Sequence, residues 1–362
     1  MSERRNISVG PAGEWGSAFA KVAAERGHRV LIFLRDSEDV KEFRKTHRTK
    51  RLPEAVMPNN VKATSDIEEF AKDADLIALV PPSKNFRSFF RELRPSIPPT
   101  SYVGSLTKGL EQETHLRMSA IMLEEDPTLI DRIAVLSGPN LAKEIAQRAI
   151  GGMVVAAYNP VVADRIRYWL SSNRLSVYAS ADPVGVEYGG ALKNVMALGA
   201  GIADEMKASN TSKAFYATRA LEEMIRLGKK LGGREETFRG LSGNGDLLLS
   251  CFGGATRNYR AGVRLAQGLS VDEIQEIELA EGLYALDSAA QLARMREVDV
   301  PIIFGLDDVV HKRKTIEEGI RQLVGRQSAR EHLGNHGLGF HLARLTTRML
   351  HNLGFNSSRN SS

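Results

Sequence analysis

The residue best placed to do chemistry is Lys193. It stands in Gly185-Val-Glu-Tyr-Gly-Gly190-Ala-Leu-Lys193-Asn194-Val-Met-Ala, a segment made almost wholly of apolar and small residues. An ammonium buried in such a segment costs free energy unless it is paired or used. Burial also favours its neutral form, which suits proton transfer near neutral pH. A lysine that snorkels to the surface is the structural alternative. A second segment carries an acid and a polar pair: Gly240-Leu-Ser-Gly-Asn-Gly245-Asp246-Leu-Leu-Leu-Ser250-Cys251-Phe-Gly-Gly254-Ala-Thr256-Arg257-Asn258. An arginine with an asparagine grips phosphate through forked, charge-assisted hydrogen bonds. Cys251 has no evident histidine partner and reads as buried packing.

Two further segments each follow an apolar run that reads as a strand. They are Ser105-Leu-Thr-Lys108-Gly109 and Ser137-Gly138-Pro139-Asn140-Leu-Ala142-Lys143-Glu144. A lysine at the C-terminal end of a strand in a doubly wound sheet points toward the ligand crevice. An exposed surface lysine is the default otherwise. The second of these segments also opens a helix, whose first turn can hold an anion.

The first apolar run leads into Gly10-Pro11-Ala-Gly13-Glu14-Trp15-Gly16. A glycine-rich turn between a first strand and a first helix cradles a pyrophosphate against free N–H groups. In the usual G-x-G-x-x-G spacing Pro11 stands where the first glycine belongs, and Gly10 supplies the tight turn one residue earlier. A structural turn without ligand is the other reading. The second strand ends in Leu34-Arg35-Asp36. An acid there bonds a ribose 2′-hydroxyl and an arginine accepts a 2′-phosphate. Arg35 is favoured as the adenosine-side contact, which permits NADPH; Asp36 alternatively caps the next helix.

These segments need elements to position them. Strands are expected at Ile7–Val9, Val30–Leu34, Leu76–Val80, Tyr102–Gly104, Ile133–Leu136 and Gly152–Ala157. Helical periodicity falls at Gly16–Arg26, Ile67–Lys72 and Phe86–Leu93 between them. Such alternation predicts a mostly parallel sheet covered by helices on both faces. From about Asp182 the pattern is nearly all helical: Val184–Met206, Lys213–Leu231, Gly254–Gln267 and Ser288–Glu297. A domain boundary is therefore expected near residue 182. No internal repeat or long linker is evident. Four of the eight histidines, His332, His336, His341 and His351, fall in the last stretch. No carboxylate or cysteine completes a ligand set there, so a basic surface helix with a Ser/Asn/Arg tail is expected rather than a metal site.

The chain has 362 residues, enough for about two domains. At 42% hydrophobic and 26% charged it has the balance of an ordinary globular protein, not of a disordered chain, a collagen or a coiled coil. One cysteine excludes an intramolecular disulfide framework and fits a reducing compartment. A net charge of +5 without a concentrated basic module argues against nucleic acid as partner and suits an anionic small-molecule substrate. No signal-peptide pattern opens the chain, and no apolar run approaches the ~20 residues that span a bilayer. A cytoplasmic protein is expected.

With these segments assembled, residues 5 to 325 resemble the NAD(P)-dependent glycerol-3-phosphate dehydrogenase family, in its bacterial form. Five motifs stand in the family's order: the modified glycine turn with Trp15, Ser105 to Gly109, Ser137 to Glu144, Gly185 to Asn194, and Gly245 to Asn258, supported by Ala280-Glu281-Gly282. The resemblance implies an α/β N-terminal Rossmann-like doubly wound domain followed by an all-α C-terminal domain. Its boundaries would be 1–182 for the dinucleotide, 183–325 for substrate and catalysis, and 326–362 for a basic, histidine-containing extension. It implies reversible hydride transfer between NAD(P)H and dihydroxyacetone phosphate, giving sn-glycerol 3-phosphate for glycerophospholipid synthesis, with NADH against NADPH left open. By resemblance Lys193 is the acid/base, Lys108 touches substrate and cofactor, and Asp246 orients Lys193. Gly138, Asn140, Asn194, Asp246, Thr256, Arg257 and Asn258 fall on substrate positions. Gly10, Gly13, Glu14, Trp15, Gly16, Arg35, Lys108, Ala142, Arg257, Leu279 and Glu281 fall on cofactor positions. No metal is implied, and at family level a homodimer is. The chain departs from the pattern at Pro11, Glu14 and Asn140. Two other readings remain: a related two-domain dehydrogenase for a β-hydroxyacid, ketopantoate or a nucleotide sugar, and a non-catalytic cofactor-binding sensor.

Overall fold

The computed structural model describes residues 3–254 and 256–324. The four tail histidines lie outside them. The first part of the chain runs β1 (Asn6–Gly10), α1 (Glu14–Glu25), β2 (Arg29–Phe33), α2 (Ser37–Thr46), β3 (Val61–Thr64), α3 (Ile67–Lys72), β4 (Leu76–Leu79), α4 (Phe86–Leu93), β5 (Tyr102–Ser105), α5 (Met118–Glu125), β6 (Ile133–Ser137), α6 (Ala142–Ala146), β7 (Gly151–Ala156), α7 (Pro160–Leu170) and β8 (Leu175–Ser180). The strands form one sheet in the order β3-β2-β1-β4-β5-β6-β7-β8. Every neighbouring pair is parallel except β6 with β7, which is antiparallel. The sequence order reverses between β1 and β4, the crevice where ligands of such sheets bind.

The sheet is buried on both faces. Leu76 and Ala78 of β4 enter the cluster that holds Ile7, Val9, Phe19 and Ile32. Ile77 and Leu79 enter the opposite cluster, with Phe70, Phe86, Phe89 and Phe90. A strand covered on both sides reads as a continuous apolar run. Two strands are additional to those expected. β3 is four residues long and includes the exposed Lys62, and β8 is an edge strand alternating buried and exposed residues. Neither makes an apolar run.

The remainder is helical: α8 (Pro183–Glu205), α9 (Asn210–Lys230), α10 (Glu235–Arg239), α11 (Asp246–Phe252), α12 (Arg257–Ala266), α13 (Val271–Ile277), α14 (Glu281–Met295), α15 (Pro301–Val310) and α16 (Ile316–Val324). α8 is its axis. Asp182 caps it, accepting a hydrogen bond from the Gly185 N–H, and residues from Val186 to Ile202 are all buried. A helix apolar all round has to be enclosed, and α9, α11, α12, α14 and α15 enclose this one. α14 starts at Glu281, well before the expected Ser288, because Gly282 and the uncapped Ala280 hide its first turns from a propensity reading.

The chain to Ile320 is one compact unit. Of the second unit, which begins at Arg321, the described residues run to Val324 and are helical. Among the described residues no helix is long and apolar enough to cross a membrane.

Candidate active site

The C-terminal ends of β5 and β6, the middle of α8 and the start of α11 meet at one carboxylate. Asp246, the first residue of α11, is 1% exposed. Its Oδ1 lies 3.0 Å from Lys193 Nζ and its Oδ2 holds Lys108 Nζ. Lys193 also donates to the Ser250 hydroxyl at 2.9 Å, and Lys108 to the Gly138 carbonyl at 2.9 Å. Asp246 and Ser250 are one helical turn apart, so α11 presents both to Lys193 on one face. Gly138 has a φ of +153°, and a Cβ there would lie 2.6 Å from the Gly152 carbonyl oxygen. Only glycine allows that backbone to turn its carbonyl to Lys108.

Burial pushes the Lys193 ammonium below its ordinary value, and Lys108 adds to the effect, while Asp246 acts against it. Burial opposes ionisation of Asp246, but Lys108 and Lys193 outweigh it and hold the carboxyl below the usual carboxylate range. One carboxylate facing two ammonium groups leaves one net positive charge. Such a site favours an oxygen that gains negative charge and an anionic substrate. Burial pushes the Cys251 thiol up to about 12, and it has no bonded partner cysteine, consistent with packing rather than chemistry.

The expected substrate residues are near this centre, but several amides are already committed to the backbone. Asn194 donates Nδ2 to the Lys108 carbonyl at 3.0 Å. Asn258 Oδ1 accepts the Gly282 N–H at 2.8 Å. Asn140 gives Nδ2 to the Gly152 carbonyl at 2.8 Å, while its buried Oδ1 has no partner among the described residues. Thr256 caps α12, its hydroxyl accepting the Tyr259 N–H. Arg257 follows it, exposed and without an ion pair among the described residues.

On the cofactor side, Gly13 is the N-cap of α1, and no side chain satisfies the first turn. A Cβ at Gly13 would meet nothing within 4 Å. That open, uncapped helix start after β1 fits a pyrophosphate. Gly10 has a packing reason instead: a Cβ there would lie 2.6 Å from Phe33 Cβ. Gly16 lies against the Pro11 carbonyl and Val80. Glu14 is in the first turn of α1, and Trp15 and Ala142 pack on one shared apolar cluster between α1 and α6. Arg35 is exposed, its guanidinium 6.0 Å from the Phe89 ring centre. Asp36 caps α2 by accepting the Glu38 N–H at 2.9 Å. Leu279 is half-buried just ahead of α14. Glu281 accepts the Ser83 N–H at 3.0 Å and the Ser83 hydroxyl.

Two serines and one ion pair contribute without a motif in the sequence. Ser250 sits in an apolar run without any motif of its own. Ser83 follows two prolines in a turn. The half-buried Arg117 and the buried Glu187 form an ion pair at 2.6 Å, reinforced by the Ser119 N–H at 2.8 Å, that seats α8 against the start of α5. Only the Glu187 position, inside the Lys193 segment, carried a hint: a carboxylate buried in an apolar helix needs a partner.

Known proteins similar to this chain place it in a family. A family model described as NAD-dependent glycerol-3-phosphate dehydrogenase N-terminus matches residues 6–163, and its C-terminus counterpart matches residues 182–321. A Bacillus thuringiensis protein named glycerol-3-phosphate dehydrogenase (NAD(P)+) is 37% identical over 325 residues, covering 88% of this chain and 95% of its own. The crystal structure of glycerol-3-phosphate dehydrogenase from Coxiella burnetii superposes with a TM-score of 0.83 at 31% identity, covering 89% of this chain and 99% of that one. The Saccharomyces cerevisiae enzyme shares the fold, with a TM-score of 0.78 at 23% identity over 90% of this chain and 100% of that one.

Proposed function

The chain belongs to the NAD-dependent glycerol-3-phosphate dehydrogenase family, and from that membership we propose how its own residues carry the reaction. It is an NAD(P)-linked oxidoreductase acting on the CH–OH group of glycerol 3-phosphate. The physiological direction we assign is reduction of dihydroxyacetone phosphate to sn-glycerol 3-phosphate, a glycerophospholipid precursor. The observation that carries the site assignment is the single buried carboxylate of Asp246 shared by Lys108 and Lys193.

A bound nicotinamide would supply the hydride for the ketone carbon, and the chain's own residues handle the oxygen and the phosphate. Lys193 gives its proton to the ketone oxygen as negative charge develops there. A positioned acid of this kind contributes about 10²–10⁴-fold. Lys108 stabilises the same oxygen electrostatically, and the Gly138 carbonyl aims it. Asp246 and Ser250 hold Lys193 in line, and the Asp246 charge favours its ammonium form against burial. Arg257, the Asn258 amide and the start of α12 take the phosphate. Asn140, tied to the Gly152 carbonyl, lines the substrate side next to Gly138. Asn194 acts through Lys108, whose loop it fixes. Gly13, the N–H groups of Glu14, Trp15 and Gly16, with Arg35, Ala142, Leu279 and Glu281, line the cofactor side.

In this reading residues 1–182 hold the dinucleotide and 183–325 hold the substrate. Membership in the family supports a homodimer in the cytoplasm, which sedimentation and cell fractionation test. The functional test is a substrate panel with NADH and with NADPH. Turnover of dihydroxyacetone phosphate is expected. Turnover of ketopantoate or 3-hydroxyisobutyrate in its place overturns the assignment.

A further inference from the structure

Three segments far apart in sequence close on one carboxylate, that of Glu281. Glu281 Oε1 lies 3.0 Å from the Ser83 nitrogen, and Oε2 accepts from the Ser83 hydroxyl. Ser83 sits in the turn after β4, at the crevice flanked by β1. The Pro81 carbonyl of that turn accepts from the Thr107 hydroxyl at 2.6 Å, which ties it to the loop carrying Lys108. Gly109 allows the approach. A Cβ there would lie 2.7 Å from Ser83 Cβ and 2.9 Å from Glu281 Oε2.

The contacts continue into a closed ring. Gly282, next to Glu281, gives its N–H to Asn258, and its Cα faces the Asn194 carbonyl, from which an added Cβ would stand 2.4 Å. Asn194 returns to the Lys108 carbonyl at 3.0 Å. Lys108 follows Thr107, and Thr107 is bonded to the Ser83 turn. The ring therefore joins the Lys108 loop, the Lys193 helix and the start of α14. Ser83 closes it, with two donors on one carboxylate.

We propose that Ser83 is a positioning residue for the cofactor: by holding Glu281, it sets the start of α14 against the mouth of the β1–β4 crevice. This rests on the reading of that crevice as the dinucleotide site. A carboxylate taken out of water needs donors, and each charge-assisted bond is stronger than a neutral one. Burial pushes Glu281 above its ordinary value, and the two Ser83 donors pull it back, helped by Arg257 and Lys84. The Lys84 ammonium also stands 5.6 Å from the Tyr284 ring centre on α14. Without the Ser83 hydroxyl, Glu281 keeps one donor of two and takes up a proton at higher pH. A neutral Glu281 holds the turn less firmly.

The test is direct fluorescence titration of the full chain with NADPH and NADH, without substrate, between about pH 5 and pH 9. The proteins are wild type, Ser83→Ala and Ser83→Thr, with melting temperatures recorded alongside. Ser83→Ala is expected to bind about tenfold more weakly at neutral pH, and the acid-side midpoint of its affinity is expected to move up. Ser83→Thr, which keeps the hydroxyl, is expected to restore both to within about twofold. Equal affinities for wild type and Ser83→Ala at every pH overturn the proposal. So does a loss of affinity that follows a loss of folding with an unmoved midpoint. Because no substrate is present, a wild type that binds cofactor but turns nothing over overturns the assigned reaction and leaves this result standing.

Discussion

Asp246 Oδ1 lies 3.0 Å from Lys193 Nζ, with both side chains almost wholly enclosed. The pair joins two helices, α8 and α11, and the other carboxylate oxygen reaches to the loop after β5. A buried ion pair is weak evidence for stability, since desolvation offsets much of the attraction. This one is better understood as setting a charge: it leaves one uncompensated cation where a ketone oxygen would gain electron density.

Asp246→Asn should show what that charge does. The change leaves two ammonium groups facing each other, a loss of about 3–5 kcal/mol in denaturant unfolding. Asp246 is the main group holding Lys193 protonated against burial. Reduction needs the acid form, so its rate falls as pH rises through the Lys193 value. In the variant that fall should move to lower pH. An unmoved alkaline limb would mean that Lys193 is not the acid.

Ser250→Ala should lower the reduction rate by about tenfold while Ser250→Thr retains most of it. The hydroxyl accepts from Lys193 at 2.9 Å, and a hydrogen bond to a charged group contributes about 1.5–3 kcal/mol. The readout is the maximal rate at saturating substrate, with the substrate KM little changed. A change in KM alone would place Ser250 in binding.

Cofactor preference should be read at Arg35. Asp36 is committed to capping α2, whereas Arg35 projects from the end of β2 into solvent. Arg35→Ser is expected to weaken NADPH by about tenfold or more, the loss of one charge-assisted phosphate contact. NADH should be nearly unaffected. Equal losses for both cofactors would exclude 2′-phosphate recognition by Arg35.

A second buried acid, remote from the reaction, gives a pH signature in stability. Glu223 on α9 accepts the Ile302 N–H at 2.7 Å and the Ile303 N–H at 3.2 Å, capping α15, and burial pushes it up to about 7. The folded protein therefore keeps a proton that the unfolded chain has already lost. The stabilisation is fully present below the ordinary glutamate value and is lost as pH rises to about 7, roughly 3 kcal/mol in all. Glu223→Gln should flatten that slope in urea titrations at several pH values. An identical slope in wild type and variant would contradict it.

How far the sequence discloses this site depends on what kind of residue carries each part. Lys193 and Asp246 stand out because a charge in an apolar or glycine-bounded segment conflicts with its surroundings. Their meeting, and that of Lys108 with Asp246 across 138 positions, follows from the sheet topology. Ser250 and Ser83 are legible only in three dimensions. A serine violates no local pattern, and Ser83 meets Glu281 across 198 positions. The same holds for β3 and β8, short strands at the sheet edges whose polar residues break the apolar run that identifies the inner strands. The amides of Asn194 and Asn258 show the converse. Their types suggest substrate contact, and the fold spends much of their bonding on the backbone that holds Lys108 and α14.

The most direct measurement is the oxidation of NADH, and separately NADPH, with dihydroxyacetone phosphate, by wild type and Lys193→Met. Wild type is expected to turn over with at least one cofactor, and the variant to be slower by about 10² or more at unchanged cofactor affinity. A Lys193→Met enzyme that reduces dihydroxyacetone phosphate at the wild-type rate would contradict this.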